Sequence, residues 1–321
     1  MIDLSSNENP YEPSNNTINA ANRGLKNLNK YIDKKNINEL KKILGNYNNV
    51  STERIILGSG TENLFKEIIY NFSKNRNIIT FNPSFMNSIN IAKYNAKKII
   101  KVQLTPPEFK VNWKSLINEP SLVIIDSPNN PTGKCLITRD DVINLLKNKN
   151  CLLLIDEAYY EFSKTTFVDL IDEYPNLAVS RTLDKAYSLA GLKISYLIVG
   201  DVFLNRLHHY SPSINNSTCL ASIQAIKEKE YALNNVEIII NERNRVSNEL
   251  KKIGFEVYDS STNFLLIKSP ISELALKLKK RKILISDLST NWFYNYYRIS
   301  IASPKENNIL ITTVKKLINN N

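Results

Sequence analysis

The sequence predicts an α/β protein whose large domain holds a mostly parallel, mixed sheet flanked by helices, followed by a smaller α+β domain. Three observations support this prediction. Short apolar segments alternate with helical segments from about residue 36, which is typical of βαβ units. The 321 residues, 42% of them hydrophobic, suffice for one large core or two unequal ones. After Gly254 the alternation gives way to closely spaced strands and a lysine-rich helix.

The individual elements follow from apolar residues at helical spacing and from short apolar runs between turn residues. These patterns predict helices at 38–45, 61–73, 228–253, 272–281 and from 305 onward. They predict strands at 54–57, 77–81, 121–125, 151–155, 177–180, 194–199, 256–258, 264–267 and 297–301. We therefore expect an N-terminal arm at 1–34 that joins the small domain or a dimer contact, a large domain at 35–227 and a small domain at 228–321.

The composition argues against several classes of protein. Only 8 residues are glycine, which excludes collagen-like and glycine-rich low-complexity chains. The formal net charge is +11, but the basic residues do not cluster as they do in nucleic-acid binders. Cys135, Cys151 and Cys219 lack the spacing of a disulfide framework or a zinc site, and His208 and His209 are expected to be a solvated pair. Without a membrane-length apolar run or a signal peptide, we expect a cytoplasmic protein.

The loops that follow the predicted strands are the candidate sites, because ligands of open α/β sheets bind outside the carboxyl ends of the strands. The first loop, Gly58-Ser59-Gly60-Thr61, leads into a helix, where free amides favour an anion such as phosphate. A plain turn with Thr61 as N-cap is the alternative. In the second loop, Asn129 and Asn130 stand between two prolines, which either aim an amide side chain or only form a rigid turn.

The third and fourth loops carry an acid and a lysine. Asp156 and Glu157 end a very apolar strand and point to opposite sides, so only one of them is expected to face the site, with Tyr159 close behind. Lys185 follows the next strand, and a lysine amine can form a Schiff base with an aldehyde, although most lysines are simply solvated. Together the four loops provide the groups that pyridoxal 5′-phosphate needs: a phosphate site, a donor to the ring hydroxyl, an anion for the ring nitrogen and an amine.

Three motifs in this order carry a resemblance to a known family: PNNPTG at 128–133, DEAYYEF at 156–162 and RTLDKAYSLAGLK at 181–193. The chain resembles the fold-type I, pyridoxal phosphate-dependent aminotransferases, and among them most the histidinol-phosphate aminotransferases, over nearly its whole length. The resemblance implies transfer of an amino group from histidinol phosphate to 2-oxoglutarate by a ping-pong mechanism through a Schiff base at Lys185. The products would be imidazole-acetol phosphate and glutamate.

The resemblance also assigns roles around the cofactor ring. Lys185 would form the Schiff base and move the proton between Cα of the substrate and C4′ of the cofactor. Asp156 would pair with the pyridine N–H, and Asn130 and Tyr159 would hydrogen-bond the ring's O3′. Phe85 would stack on the ring, in a position where the family usually has a tyrosine.

The remaining contacts likewise follow from the resemblance, which implies no metal. Tyr31 resembles the tyrosine that the partner subunit lends to the cofactor phosphate, so we expect a homodimer with shared active sites. Arg298 would bind the substrate's carboxylate or phosphate as a bidentate guanidinium, with Asn9 also at the substrate. The cofactor phosphate would lie on Gly60, Thr61, Glu62, Thr182 and Lys193.

Three departures from the family pattern leave the substrate open. Lys193 replaces an arginine at the phosphate and keeps only the charge. Asp184 replaces a serine or threonine, and we expect it to point away from the phosphate or to pair with Lys193. Ser286 stands where histidinol-phosphate aminotransferases carry a second arginine for the substrate phosphate. The alternatives are an aminotransferase for aromatic or other amino acids, a threonine-phosphate decarboxylase, and an aminotransferase-like domain that binds DNA or a partner.

Overall fold

A computed structural model describes residues 1–84, 87–207, 209–210, 212–289 and 292–319. Its α-helices are α1 (Asn15–Leu25), α2 (Lys34–Asn48), α3 (Thr61–Phe72), α4 (Arg139–Lys147), α5 (Tyr160–Ser163), α6 (Asp201–Leu207), α7 (Asn216–Lys227), α8 (Lys229–Lys252), α9 (Leu274–Lys279) and α10 (Pro304–Asn319). Its strands are β1 (Ile2–Leu4), β2 (Ile55–Ser59), β3 (Asn77–Asn82), β4 (Lys98–Gln103), β5 (Ser121–Asp126), β6 (Cys151–Asp156), β7 (Leu177–Thr182), β8 (Ile194–Val199), β9 (Glu256–Val257), β10 (Phe264–Lys268), β11 (Ile283–Asp287) and β12 (Tyr296–Ser300).

The larger sheet has seven strands in the order β2-β8-β7-β6-β5-β3-β4. Only β8 runs antiparallel to its neighbours, and the other pairs are parallel. Every residue of β5, β6, β7 and β8 is buried, as expected for strands covered by helices on both faces. The predicted α/β fold with a mostly parallel, mixed sheet is confirmed. The carboxyl ends of β2, β5, β6 and β7 consequently lie along one edge of this sheet.

Hydrophobic cores lie on both faces of the larger sheet. Side chains alternate along β6, so that Leu153 and Ile155 join one buried cluster while Leu152 and Leu154 join the other. The first cluster also contains the apolar side chains of α8 and of the smaller sheet. A polar residue at the end of such a strand therefore enters an environment already closed to water on both sides.

The smaller sheet has five strands in the order β1-β11-β12-β10-β9. Its edge strand β1 comes from the N-terminus and pairs in parallel with β11, with Ile2 opposite Ile283 and Leu4 opposite Ile285. The first residues, expected to be an arm of little regular structure, thus contribute a strand to this sheet and then form α1. The division of the chain into domains at residues 34 and 227 stays a prediction.

Helix α1 packs very closely on α7. A Cβ placed on Gly24 would lie 2.4 Å from the backbone nitrogen of Ser217, so only glycine allows this approach. Ser14 caps α1 by accepting a hydrogen bond from the Thr17 backbone N–H. The segment was not predicted as a helix because its contacts are with residues some 200 positions later in the chain.

Most predicted elements occur within a few residues of their expected bounds, but β4, β11 and several helices were not predicted. Strand β4 is an edge strand whose residues are partly buried or exposed, and its lysines give it no continuous apolar run. None of the helices in the described part of the chain combines the length and the apolar composition needed to cross a bilayer.

A buried ion pair ties β6 to β7 just where the strands end. Arg181 Nη2 lies 2.9 Å from Glu157 Oε2, and both side chains are almost fully buried. Arg181 also donates to Asn48 Oδ1 of α2 at 2.6 Å and stacks on the ring of Tyr160 with 3.4 Å between the guanidinium carbon and the ring centroid. The pair fixes the relative positions of the residues immediately before and after it, Asp156 and Thr182.

Replacing Glu157 by glutamine should destabilise the protein strongly. Glu157→Gln leaves the Arg181 charge buried without its partner, and we expect a loss of about 3 kcal/mol in the free energy of unfolding. Urea unfolding followed by circular dichroism measures this change. Glu237→Gln is the control, because Glu237 forms an exposed ion pair with Lys164 and should lose less than about 1 kcal/mol. Equal losses in the two variants would contradict the structural role of the buried pair.

Candidate active site

A cavity of about 690 Å³ lies at the carboxyl ends of β2, β5, β6 and β7. Its volume is within the usual range for small-ligand sites. The N-terminal segment Ser5–Glu8 and Arg298 of β12 close it from the side of the smaller sheet. The cavity brings together ten of the predicted site residues: Gly60, Thr61, Glu62, Asn130, Asp156, Tyr159, Thr182, Lys185, Lys193 and Arg298.

The start of α3 forms an anion site at one end of the cavity. Gly60 is the N-cap with a φ of +80°, a conformation that favours glycine, and no side chain caps the helix. Thr61 is the first helical residue, so the alternative in which Thr61 is the N-cap is wrong. The first-turn residues, whose N–H groups have no partner within the helix, line the cavity, and Lys193 lies beside them with its Cβ 3.8 Å from where a Cβ of Gly60 would stand. Backbone dipoles and a lysine charge together favour a phosphate here.

Asp156 ends β6 at the floor of the cavity. Its Oδ1 accepts a hydrogen bond of 2.6 Å from the Ser180 hydroxyl. Burial raises the pKa of Asp156 to about 7, with the nearby Asp126 adding to the rise. Glu157 points to the other side of the strand, toward Arg181, as the alternation along the strand predicts. A cation in the cavity, such as a protonated ring nitrogen, would compensate the Asp156 charge.

Asn130 and Tyr159 each accept a hydrogen bond from a neighbour and keep a donor for the cavity. Arg298 Nη1 donates to Asn130 Oδ1 at 2.6 Å, which orients the amide so that its NH₂ group faces away from the arginine. Asn7 Nδ2 donates to the Tyr159 hydroxyl at 3.0 Å. Burial raises the pKa of Tyr159 to about 12, so the hydroxyl keeps its proton at neutral pH. Both side chains are therefore suited to donate to one ligand oxygen.

Lys185 brings an amine into the same cavity. Its Nζ lies 3.5 Å from the carbonyl oxygen of Ser6. Burial lowers the pKa of Lys185, with Arg298 lowering it further and Asp184 acting in the opposite direction. A lower pKa increases the fraction of neutral amine, which is the form that attacks an aldehyde.

Asn9 is not among the described residues that line the cavity, and its predicted role in substrate binding stays a prediction. Its side-chain amide donates to the carbonyl oxygens of Lys185 and Ala186, at 3.0 and 3.2 Å. The amide is thus used to hold the lysine loop. Asn7, two residues earlier, has a φ of 53°, lines the cavity and contacts both Tyr159 and Ser300.

Asp184 and Thr182 both hydrogen-bond the backbone of Ile194. Asp184 lines the cavity, and its Oδ1 accepts from the Ile194 N–H at 3.2 Å. Burial raises its pKa to about 6, against the attraction of Lys185 and Lys193. The Thr182 hydroxyl donates to the Ile194 carbonyl at 2.9 Å. It has to rotate before it can donate to a bound anion.

Arg298 is the cation on the side of the smaller sheet. Besides Asn130, it binds the carbonyl oxygen of Ser5 through Nη2. Its buried Nε–H has no acceptor among the described residues. Burial lowers the pKa of this guanidinium, which nevertheless stays charged. Ser286 is its register partner on β11, so no second cation stands at that position.

Tyr31 does not line the cavity of its own chain. Tyr31 is fully exposed on the surface. Phe85 lies outside the described residues, as does His208. Sequence reasoning gave no site role to Asn7 or to Asp126, although Asp126, a polar residue ending an apolar strand, carries the same signal as Asp156. In the described ranges, no group of three or more His, Cys, Asp or Glu side chains is placed to hold a metal ion.

An amine, a buried acid, two hydrogen-bond donors and a helix-start anion site at the carboxyl edge of this sheet define the fold-type I aminotransferase class. The family model for aminotransferase class I and II matches residues 1–314. A histidinol-phosphate aminotransferase from Clostridium botulinum (strain Langeland / NCTC 10281 / Type F) is 31% identical over 328 residues, covering 99% of this chain and 92% of that protein. The chain belongs to the aminotransferase class I and II family.

Solved structures agree with this assignment. The crystal structure of the histidinol-phosphate aminotransferase from Clostridium acetobutylicum superimposes with a TM-score of 0.89 at 28% identity, covering 100% of both chains. A histidinol-phosphate aminotransferase from Sinorhizobium meliloti in complex with pyridoxal 5′-phosphate has the same fold, with a TM-score of 0.84 at 21% identity over 99% of this chain and 91% of that one.

The stability of the protein without any ligand should depend on pH through Asp156. The folded-state pKa of about 7 lies above the ordinary value of 3.8, so the folded protein favours the protonated carboxyl. Its stabilisation is complete below about pH 4 and is lost as the pH rises through about 7. Urea unfolding of the ligand-free protein across this range should show the loss, and Asp156→Asn should make the dependence shallower. Asp140→Asn, at an exposed position of α4, should keep the slope, and an unchanged slope in Asp156→Asn would contradict the assignment.

Proposed function

We propose that the protein is a pyridoxal phosphate-dependent aminotransferase whose amino donor is histidinol phosphate and whose acceptor is 2-oxoglutarate. The observation that carries this proposal is the convergence in one cavity of the α3 anion site, Asp156, the donor pair Asn130 and Tyr159, and Lys185. Each group matches one part of the cofactor. Membership of the aminotransferase family supports the same reading.

The residues present fit the cofactor on physical grounds. Asp156 is a buried acid whose raised pKa marks a charge that lacks compensation, and a pyridinium nitrogen would provide it. Asn130 and Tyr159 would donate to O3′, while the Gly60 to Glu62 amides and Lys193 would hold the phosphate. The Lys185 amine would attach the aldehyde. When bound, the cofactor supplies an electron sink that stabilises the negative charge left at the substrate Cα.

The chain itself contributes proton transfer and orientation. Lys185 would move a proton between the substrate Cα and the cofactor C4′, a role for which a lowered pKa is favourable. Arg298 would bind the anionic group of the substrate, with the free Nε–H as one donor. Asp156 would keep the ring nitrogen protonated, so that electrons are withdrawn from Cα throughout the reaction.

The choice of histidinol phosphate rests on relatives, since 31% identity over 99% of the chain joins it to a protein of that activity. Arg298 is the cavity cation left for the donor once Lys185 and Lys193 are engaged by the cofactor. Among the described lining residues, Arg298 would have to bind the phosphate of the donor by itself, because Ser286 replaces the second arginine that the resemblance implies. Histidinol phosphate has a single phosphate and no carboxylate.

We further propose a homodimer with shared active sites, in a reducing cytoplasmic compartment. Tyr31 is fully exposed, and Leu25 and Leu28 near it are exposed apolar side chains on the same segment. A second copy of the chain would cover this surface and receive Tyr31 at its cofactor phosphate. The cysteines are free, which fits a reducing compartment.

A half-reaction screen tests the activity. Purified protein loaded with pyridoxal phosphate should absorb visible light, and histidinol phosphate should bleach the band faster than aromatic amino acids or threonine phosphate do. Lys185→Ala should lack the wild-type band, because the amine that attaches the cofactor is gone. Bleaching by an aromatic donor alone would refute the proposed donor, and release of CO₂ from threonine phosphate would indicate the decarboxylase. A protein that stays colourless with added cofactor would exclude the enzyme as proposed.

Subunit mixing tests the shared site. Tyr31→Ala and Lys185→Ala should each be nearly inactive alone. After the two are unfolded and refolded together, half of the dimers are mixed and each of these has one intact site, which restores about a quarter of the wild-type activity. Refolding either variant alone is the control. If Tyr31 acts within its own chain or not at all, mixing restores nothing beyond the activity of the separate variants.

A further inference from the structure

Asp126 is a buried acid of the cavity to which the proposed chemistry gives no role. It ends β5 and stands in register with Asp156 at the end of β6, so the two side chains leave the sheet on the same face. Both line the cavity, and both are almost fully buried. Two neighbouring acids at one cavity floor need an explanation, because each is costly to bury and each repels the other.

The hydrogen bonds of Asp126 reach two separate loops. Its Oδ1 accepts from the Ser84 hydroxyl at 2.8 Å and from Asn129 Nδ2 at 2.9 Å. Its Oδ2 accepts from the Asn130 backbone N–H at 2.8 Å. Asn129 continues the connection, since its Nδ2 also donates to the Pro83 carbonyl oxygen at 3.2 Å. One carboxylate therefore joins the loop after β3 to the loop after β5.

The two acids differ in the number of hydrogen-bond donors that the protein supplies to them. Asp126 has three donors from the protein, distributed over both oxygens, although burial still raises its pKa. Asp156 accepts from the Ser180 hydroxyl and the Ala158 backbone N–H. Asp156, with fewer donors from the protein, is therefore the acid that can accept a further hydrogen bond from a ring nitrogen. Asp126 is the acid whose hydrogen bonds hold the protein's own loops.

We propose that Asp126 is a positioning residue that holds Asn130 and the Ser84 segment in place, so that the side-chain donor to the cofactor's O3′ is fixed before the cofactor binds. The inference rests on the proposed cofactor. Asn130 is bound at both ends: its backbone N–H by Asp126 and its side-chain oxygen by Arg298. The donor is thereby preorganised, and binding does not have to order the loop.

The test measures cofactor affinity of the full-length protein. Wild type and Asp126→Asn are freed of cofactor, and pyridoxal phosphate is titrated in while tryptophan fluorescence is followed. The amide replaces one acceptor oxygen by a donor and removes the charge, so the Kd should rise about tenfold or more. Thermal unfolding of the cofactor-free forms reports stability separately. Glu161→Gln is the matched control, because Glu161 is a buried acid with a raised pKa that does not line the cavity, and its Kd should equal that of wild type.

A second titration uses the cofactor analogue that lacks the ring 3-hydroxyl. If Asp126 acts through the hydrogen bond from Asn130 to O3′, Asp126→Asn should weaken binding of the analogue much less than it weakens binding of pyridoxal phosphate. Equal weakening of both ligands, or wild-type affinity for both, would overturn the proposal. Failure of wild type itself to bind pyridoxal phosphate would instead refute the proposed function.

Ser84→Ala keeps the proposal testable if Asp126→Asn does not fold. It removes one hydroxyl donor and should raise the Kd in the same direction by a smaller factor. An unchanged Kd in Ser84→Ala would show that the carboxylate does not hold this segment for the cofactor. Where Asp126→Asn folds, the effects in the double variant should be less than additive, because both act through one carboxylate.

Discussion

The site depends on a constraint of burial: a carboxylate taken out of water must receive donors or a cation, or its charge is destabilised. Three acids at the ends of β5 and β6 meet this constraint in three ways. Glu157 has the Arg181 guanidinium, Asp126 has three donors from two loops, and Asp156 has one hydroxyl and one backbone N–H. The first two acids hold the strands and loops together. The third has fewer partners at the cavity floor, which is why we propose it as the acid that pairs with the ligand.

The central strands and the main site residues could be predicted from the sequence because both depend on local signals. Strands β5 to β8 are fully buried and therefore read as apolar runs, and Asp156 and Lys185 follow such runs directly. Strands β1 and β11 could not be predicted in this way, since β1 is three residues long and exists only through its pairing with a strand 281 residues later. The hydrogen-bond partners of individual side chains could not be predicted from the sequence either. The amide of Asn9, for example, binds the Lys185 backbone, a contact that no spacing rule reveals.

The N-terminal segment connects the two sheets through the site. Strand β1 belongs to the smaller sheet, and the residues after it contact Tyr159, Arg298 and the carbonyl of Lys185 in turn. A short stretch of chain thus contacts three residues with proposed roles: Lys185 as the proton carrier, Tyr159 as a donor to the cofactor ring, and Arg298 as the cation that binds the substrate. Displacement of the smaller sheet would move this segment, so the geometry at the lysine and the position of that sheet are mechanically related.

Arg298 has a consequence for the energetics of binding. Its Nη1 holds the oxygen of Asn130, whose NH₂ group would donate to the proposed O3′, while its Nε–H would bind a substrate anion. The two ligands would therefore share one delocalised guanidinium. By thermodynamic linkage, whatever factor the bound cofactor adds to the affinity for the anion, the anion must add to the affinity for the cofactor. Occupation of either site therefore changes the affinity of the other through this one side chain.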